Sequence, residues 1–264
     1  MARARTRRAA IALLLGSLTA GSGEALAGFP FVTEDAGTQG TWNAEIEFTG
    51  QSEHDSDGSQ TTSPGNTITL GLAPRTDLAL AYTYDFTTAA DGTKSRGMGP
   101  VDATLKTVFA TGKEYVPVLG IKAGFSLPVS EGDQTTVLLT GIAQWSREPL
   151  TVFANIGADI GTHLAGNQER TTALRASVAG SYEFREEWYL LSELLWEKQS
   201  APSAPPTAEW LIGGKKEITE RFSVEGGIRW GLTHDSAHVT YLLGVTLGVH
   251  PEAPGAHPPD AGAR

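Results

Sequence analysis

Apolar and polar residues alternate with a period of two along most of the chain. Trp42, Ala44, Ile46 and Phe48 alternate with Asn43, Glu45, Glu47 and Thr49, so one face is apolar and the other carries two carboxylates. Leu150, Val152, Ala154, Ile156, Ala158 and Ile160 repeat the pattern against Thr151, Asn155, Gly157 and Asp159. Leu174, Ala176, Val178 and Tyr182 alternate with Arg175, Ser177, Ser181 and Glu183, and Phe222, Val224, Ile228 and Trp230 with Ser223, Glu225, Gly227 and Arg229. Successive side chains of a strand point to opposite faces, so this spacing predicts strands with one apolar and one polar face. Read throughout, it predicts strands near 41–49, 66–72, 78–86, 101–109, 115–127, 136–145, 150–160, 171–183, 188–197, 207–215, 222–230 and 238–249.

The links between these segments alternate in length. Short ones at 73–77, 110–114, 146–149, 185–187 and 217–221 separate longer ones at 50–65, 87–100, 128–135, 161–170 and 198–206, which are rich in Gly, Ser, Asp and Pro. Short turns at one end and long loops at the other characterise outer-membrane barrels. The aromatic residues sort in the same way. Trp42, Phe109, Tyr115, Trp145, Tyr182, Trp188 and Phe222 fall near the short-turn end, and Tyr84, Phe86, Phe125, Trp196, Trp210, Trp230 and Tyr241 near the long-loop end. Aromatic rings at both headgroup levels with aliphatic side chains between them match a lipid-facing wall. A soluble barrel with its apolar face inward does not explain two belts. The expected fold is all-β: a transmembrane antiparallel up-and-down β-barrel of about twelve strands, with both termini on the periplasmic side.

The ends of the chain read differently. Arg3, Arg5, Arg7 and Arg8 precede an apolar run from Ala9 to Leu18, and Ala25-Leu26-Ala27 has the small-residue spacing of a cleavage site. This is the layout of a secretory signal peptide, with an apolar core too short to span a bilayer as a helix. The expected division is signal peptide 1–27, barrel 28–249, and a disordered tail 250–264 rich in Pro, Ala, Gly and His. The net charge is −10 before the basic leader is removed, which argues against nucleic acid as a partner. There is no cysteine, hence no disulfide framework or thiolate metal site.

Several stretches are similar to one family. Pro30-Phe31-Val32-Thr33-Glu34-Asp35-Ala36-Gly37-Thr38-Gln39-Gly40 resembles the mature start of the bacterial outer-membrane transporter-like β-barrel family named for the MetA pathway of phenol degradation. Gly97-Met98-Gly99-Pro100-Val101-Asp102 resembles its glycine-rich approach to the fourth strand, with Pro100 a departure, and Gly124-Phe125-Ser126-Leu127-Pro128 its fifth-strand end. The run from Gly226 to Val249 is similar too, although Val249 stands where barrels commonly end on an aromatic residue. The resemblance implies an outer-membrane barrel linked to uptake of aromatic or other apolar small molecules, with no catalytic residues to carry over.

The candidate functional positions are those expected to face the lumen: Glu45, Glu47, Asp85, Asp102, Lys106, Lys122, Asp159, Arg175, Glu193, Glu197, Glu225 and Arg229, with Glu183 and Lys215. Asp159, Arg175 and Glu197 are expected together near the outer mouth, and Asp85, Asp102, Lys106 and Lys122 as a second mixed group. Such charges either select solutes at a constriction or knit a closed plug. The tripeptide His-Asp-Ser at His54 and at His234 offers ligands for a divalent metal, with two solvated loops as the simpler account. No strand offers His and Ser together on its apolar side, so no nucleophile–base pair of the outer-membrane phospholipase kind is expected. The expected function is a channel for passive uptake of small molecules. A closed barrel with a structural or surface-interaction role is the alternative. Expected partners are outer-membrane lipid, a small-molecule solute and the barrel-assembly machinery; no cofactor and no enzyme activity are implied.

Overall fold

A computed structural model describes residues 29–112, 115–129, 134–162, 172–201 and 204–249. The expected signal peptide and tail lie outside these residues. Twelve strands run in chain order: β1 (Ala44–His54), β2 (Gln60–Ala73), β3 (Thr76–Thr88), β4 (Lys94–Ala110), β5 (Val118–Leu127), β6 (Thr136–Arg147), β7 (Leu150–Gly161), β8 (Thr172–Arg185), β9 (Trp188–Gln199), β10 (Thr207–Thr219), β11 (Phe222–Gly231) and β12 (Val239–Val249). Each pairs antiparallel with its sequence neighbours, and β1 pairs with β12 from Ala44↔Val249 to His54↔Val239, closing the barrel.

The alternation sets which way each side chain faces. Phe48, Leu80, Ile156, Val178, Leu194 and Leu243 stand on the outside and are exposed. Leaving one such side chain in water forfeits about 1.5–3 kcal/mol, so a band of them around the wall is a lipid-facing surface. Rings mark its edges. Phe109, Trp145, Tyr182 and Trp188 are exposed near the short-turn end, and Phe125, Trp196, Trp210 and Trp230 near the other. Trp210 and Trp230 are cross-strand partners with ring centroids 5.9 Å apart.

Several strand boundaries differ from the sequence reading. Trp42 precedes β1 rather than belonging to it: its φ is 66°, and its N–H donates to the Gly71 carbonyl at 2.7 Å. Tyr115 lies in the turn before β5. The first two long loops are mostly strand, because β1 and β2 stay paired up to His54↔Gln60 and β3 and β4 up to Thr88↔Lys94. Beyond the lipid the ladder needs no apolar face, so Thr, Ser and Gln continue it without an alternating signal. The hairpins turn at Gly58 (φ 90°) and Gly92 (φ 84°), conformations that favour glycine.

The inside is not uniformly polar. Phe153, Tyr189, Leu191, Leu211 and Leu242 are buried there with Phe31 in one apolar cluster, and Val108 and Ile142 with Ala36 in another. Phe31 and Ala36 belong to no strand. They lie on the chain that precedes β1, and that chain sits inside the barrel.

Candidate functional site

Residues 29–43 form a strap across the lumen. A chain without strand partners must still satisfy its buried N–H and C=O groups, and inward side chains of the wall do this. Glu193 Oε1 accepts from the backbone of Val32 (2.9 Å) and Thr33 (2.6 Å). Asn155 accepts from Glu34 N (2.6 Å) and donates to Glu34 O (3.0 Å). Gln144 accepts from Ala36 N, Asp77 from Gln39 N, and Glu47 from Phe29 N. Thr33 Oγ1 donates to Ser177 Oγ at 2.7 Å, and Arg229 donates to the Pro30 carbonyl at 3.3 Å.

Charge and packing complete the seat. Lys106 on β4 pairs with Asp35 at 2.9 Å, where the carboxylate is only 1% exposed, and Lys122 on β5 pairs with Glu34. Phe31 lies 6.0 Å from Phe153, centroid to centroid. Phe29 packs against the same cluster and lies over Gly244, where a Cβ would come within 2.5 Å of its ring. At the foot of the strap a Cβ on Gly71 would lie 1.6 Å from the Gly40 carbonyl oxygen. The strap therefore reaches β1 to β9 and β11 through polar contacts, and β10 and β12 through the apolar cluster.

Two chambers lie beside the strap among the described residues. One, of about 350 Å³, runs along β1 to β4 and is bounded by the strap, with Glu45, Glu47, Thr67, Thr83, Asp102 and Lys106 on its walls. The second, of about 480 Å³, opens over β6 to β10 and contains Asp159, Arg175, Glu197, Thr207 and Glu209. Val32, Glu34, Asp102, Lys122, Leu138 and Arg229 line both, so the chambers meet beside the strap's middle.

The residues named from sequence divide between these structures. Glu45, Glu47, Asp102, Lys106, Lys122 and Arg229 line the first chamber, and Asp159, Arg175 and Glu197 the second. Arg175 holds Asp159 and Glu197 at 2.8 Å each. Arg229 lies 3.7 Å from Glu193 and 3.8 Å from Glu209. Glu225 is buried, accepting from Ser223 and Thr246. Glu183 accepts from Glu187 N at a short turn, and Lys215 pairs with Glu217 at 3.2 Å.

The second mixed group is not one network. Its lysines are matched to the strap's Asp35 and Glu34, while Asp102 Oδ1 is buried without a hydrogen bond and Asp85 faces inward where β2 and β3 are not paired. The strap, invisible as a competitor at the sequence level, supplies closer carboxylates. The histidines form no metal-ligating cluster among the described residues. His54 meets the Tyr241 ring edge-on at 5.8 Å, and His234 is 95% exposed beside Asp235. His163 lies outside the described residues.

No protein-family model matches the chain, and no curated protein matches it in sequence. Solved structures do match in shape. The COG4313 outer membrane channel from Pseudomonas putida F1 is 13% identical, with a TM-score of 0.60 over 81% of this chain and 97% of that one. The NanC porin is 10% identical, with a TM-score of 0.58 over 76% of this chain and 98% of that one. The KdgM porin is 14% identical, with a TM-score of 0.51 over 78% and 98% respectively. At these identities the likeness is one of fold, and the fold is the closed twelve-stranded barrel of bacterial outer-membrane proteins.

Proposed function

We propose that the chain is an outer-membrane channel for small solutes whose path is narrowed by its own N-terminal strap. The observation that carries this reading is the pair of chambers meeting at Glu34, Asp102, Lys122 and Arg229. Chambers of this size hold molecules of the dimensions of a small aromatic acid or phenol and exclude polymers. Phe29 and Phe31 present rings to the first chamber among threonines and carboxylates, a lining suited to compounds with an apolar ring and a polar substituent. The structural neighbours named as channels and porins support the same class.

The sign of the lumen is also legible. Six carboxylates in the first chamber (Glu34, Asp35, Glu45, Glu47, Asp77 and Asp102) face three cations, Lys106, Lys122 and Arg229. Dielectric walls focus such an excess into the pore, so small cations should pass more readily than anions. The test is the reversal potential of the refolded protein in a planar bilayer under a potassium chloride gradient. A potential of the sign set by potassium is expected; one set by chloride contradicts the assignment. Absence of any conductance would favour a closed barrel with a structural role.

A further inference from the structure

Register partners share a face of the wall, so each row of the ladder can be followed around the outside of the barrel. One row runs Tyr241, Ser52, Thr62, Phe86 and Arg96 across β12, β1, β2, β3 and β4. The next runs Val239, His54, Gln60, Thr88 and Lys94. Phe86 and Tyr241 are exposed, which places both rows on the outer surface. The rows lead to the hairpin turns at Gly58 and Gly92, at the long-loop end, which in outer-membrane barrels faces the cell exterior. Lys94 and Arg96 are thus exposed cations on one face of β4, at the outer edge of the lipid-facing band.

One row further from the hairpin tips the wall is hollowed. A groove of about 370 Å³ lies over Gly50 and Pro64, between Tyr241 and Leu243 on β12 and Phe86 on β3. Its sides are braced: Phe86 leans on Tyr84 with ring centroids 5.0 Å apart, and Tyr241 receives His54 edge-on at 5.8 Å. Its floor is open because Gly50 has no side chain, and a Cβ there would meet nothing nearer than the Leu243 carbonyl oxygen at 3.9 Å. Phe86 is also the register partner of Arg96, so an apolar slot and a pair of cations adjoin on one face. Neither cation enters an ion pair among the described residues. The carboxylates of these hairpins are placed elsewhere. Asp55, Asp57 and Asp91 accept from Ser59 and Thr93 within their own turns, and Glu53 and Asp85 fall on inward positions.

We propose that this face binds a multiply acylated, phosphorylated glycolipid, the lipopolysaccharide of the outer leaflet: an acyl chain lies in the groove, and a phosphate meets Arg96 and Lys94. Guanidinium and ammonium groups make charge-assisted hydrogen bonds to phosphate oxygens, and Arg can do so through two parallel N–H groups. The acyl chain fills the slot that Gly50 leaves open and packs against the rings on either side. Charge then selects among lipids. A phospholipid whose headgroup carries an ammonium would bring a third cation to the first two, whereas the phosphates of the glycolipid bring negative charge alone. The groove spans the seam where β12 closes onto β1, so a seated lipid clamps the join between the first and last strands. The site lies outside the wall and is independent of conduction through the lumen.

The experiment titrates the refolded protein, in detergent micelles, with deep-rough lipopolysaccharide and follows the lipid adducts by native mass spectrometry. Parallel titrations use the dephosphorylated glycolipid, phosphatidylethanolamine and phosphatidylglycerol. A single retained lipopolysaccharide per chain is expected, with the other three lipids bound more weakly. Lys94→Gln/Arg96→Gln removes both cations and should weaken binding about thirtyfold. Gly50→Leu fills the groove from its floor and should weaken binding in a protein that stays heat-modifiable. Unchanged affinity in the double glutamine variant overturns the proposal, as does equal retention of the dephosphorylated glycolipid. Equal retention of phosphatidylglycerol overturns it too, because the face would then take any anionic lipid. A dimer of the chain in place of the lipid adduct, broken by Gly50→Leu, would make the groove a contact between copies and likewise overturn it. Where Gly50→Leu does not fold, the double glutamine variant decides, since its exposed side chains support no packing.

Discussion

Asp35 and Glu34 stand side by side on the strap and are held differently. Asp35 is almost fully enclosed against Lys106. Removing one member of such a pair leaves the other buried and unmatched, at a cost of about 3–5 kcal/mol. Asp35→Ala should therefore loosen the strap while the membrane wall stays folded. The expected readout is faster proteolysis of the N-terminal segment with unchanged heat-modifiability on a gel; equal proteolysis would show that the pair does not hold the strap. Glu34 adds a pH dependence. Burial pushes its carboxyl upward, but the charges of Lys122 and Lys106 and the hydrogen bond from Lys122 outweigh that, and it is held below its ordinary value. A carboxyl lowered on docking contributes fully above its undocked value, near pH 4.3 for a free glutamate, and progressively less as pH falls through the docked value. Acidification below about pH 4 should thus release the strap and raise conductance, and Glu34→Gln should flatten this dependence. An acid response that survives in Glu34→Gln would place the titrating group elsewhere.

At the scale of elements, the twelve strands were legible because lipid on one side and a polar lumen on the other enforce strict alternation. The alternation of link lengths gave the direction of each strand. What the pattern could not carry was anything paired by polar side chains on both faces, so the hairpins beyond the membrane read as loops. The strap was hidden for a related reason. Its fifteen residues have no periodicity, since an extended chain seated on side chains obeys no strand or helix spacing. Its traces were present in the interrupted inward faces: Phe153, Leu191, Leu211 and Leu242 stand where a polar lumen predicts polar residues. Glu193 and Asn155 were readable as inward, but not as acceptors for backbone N–H groups. Two glycines test the seat. A Cβ on Gly71 meets backbone at Gly40, whereas one on Gly244 meets only the ring of Phe29, which can turn aside. Gly71→Ala should lower the yield of folded barrel or expel the strap, and Gly244→Ala should have a much smaller effect; the reverse order in thermal unfolding would contradict the placement of the strap's foot.

The whole molecule is a membrane cylinder with its own N-terminal chain wound through it. Ten strands hold that chain by polar contacts and the other two by apolar packing, so the strap ties the wall together from within while dividing the lumen into two chambers. The charged residues that a sequence reader assigns to solute selection therefore have two employments. Asp159, Arg175 and Glu197 are mutually paired at the mouth, whereas Glu193, Lys106 and Lys122 are occupied in seating the strap. Selectivity is left to the carboxylates that remain around the chambers. The most direct measurement is single-channel conductance of the refolded protein with and without residues 29–40. If the strap narrows the path, its removal gives a folded, heat-modifiable barrel with distinctly larger conductance steps than the intact protein. Equal steps from both proteins would contradict the account, because the lumen would then be limited by something other than the strap.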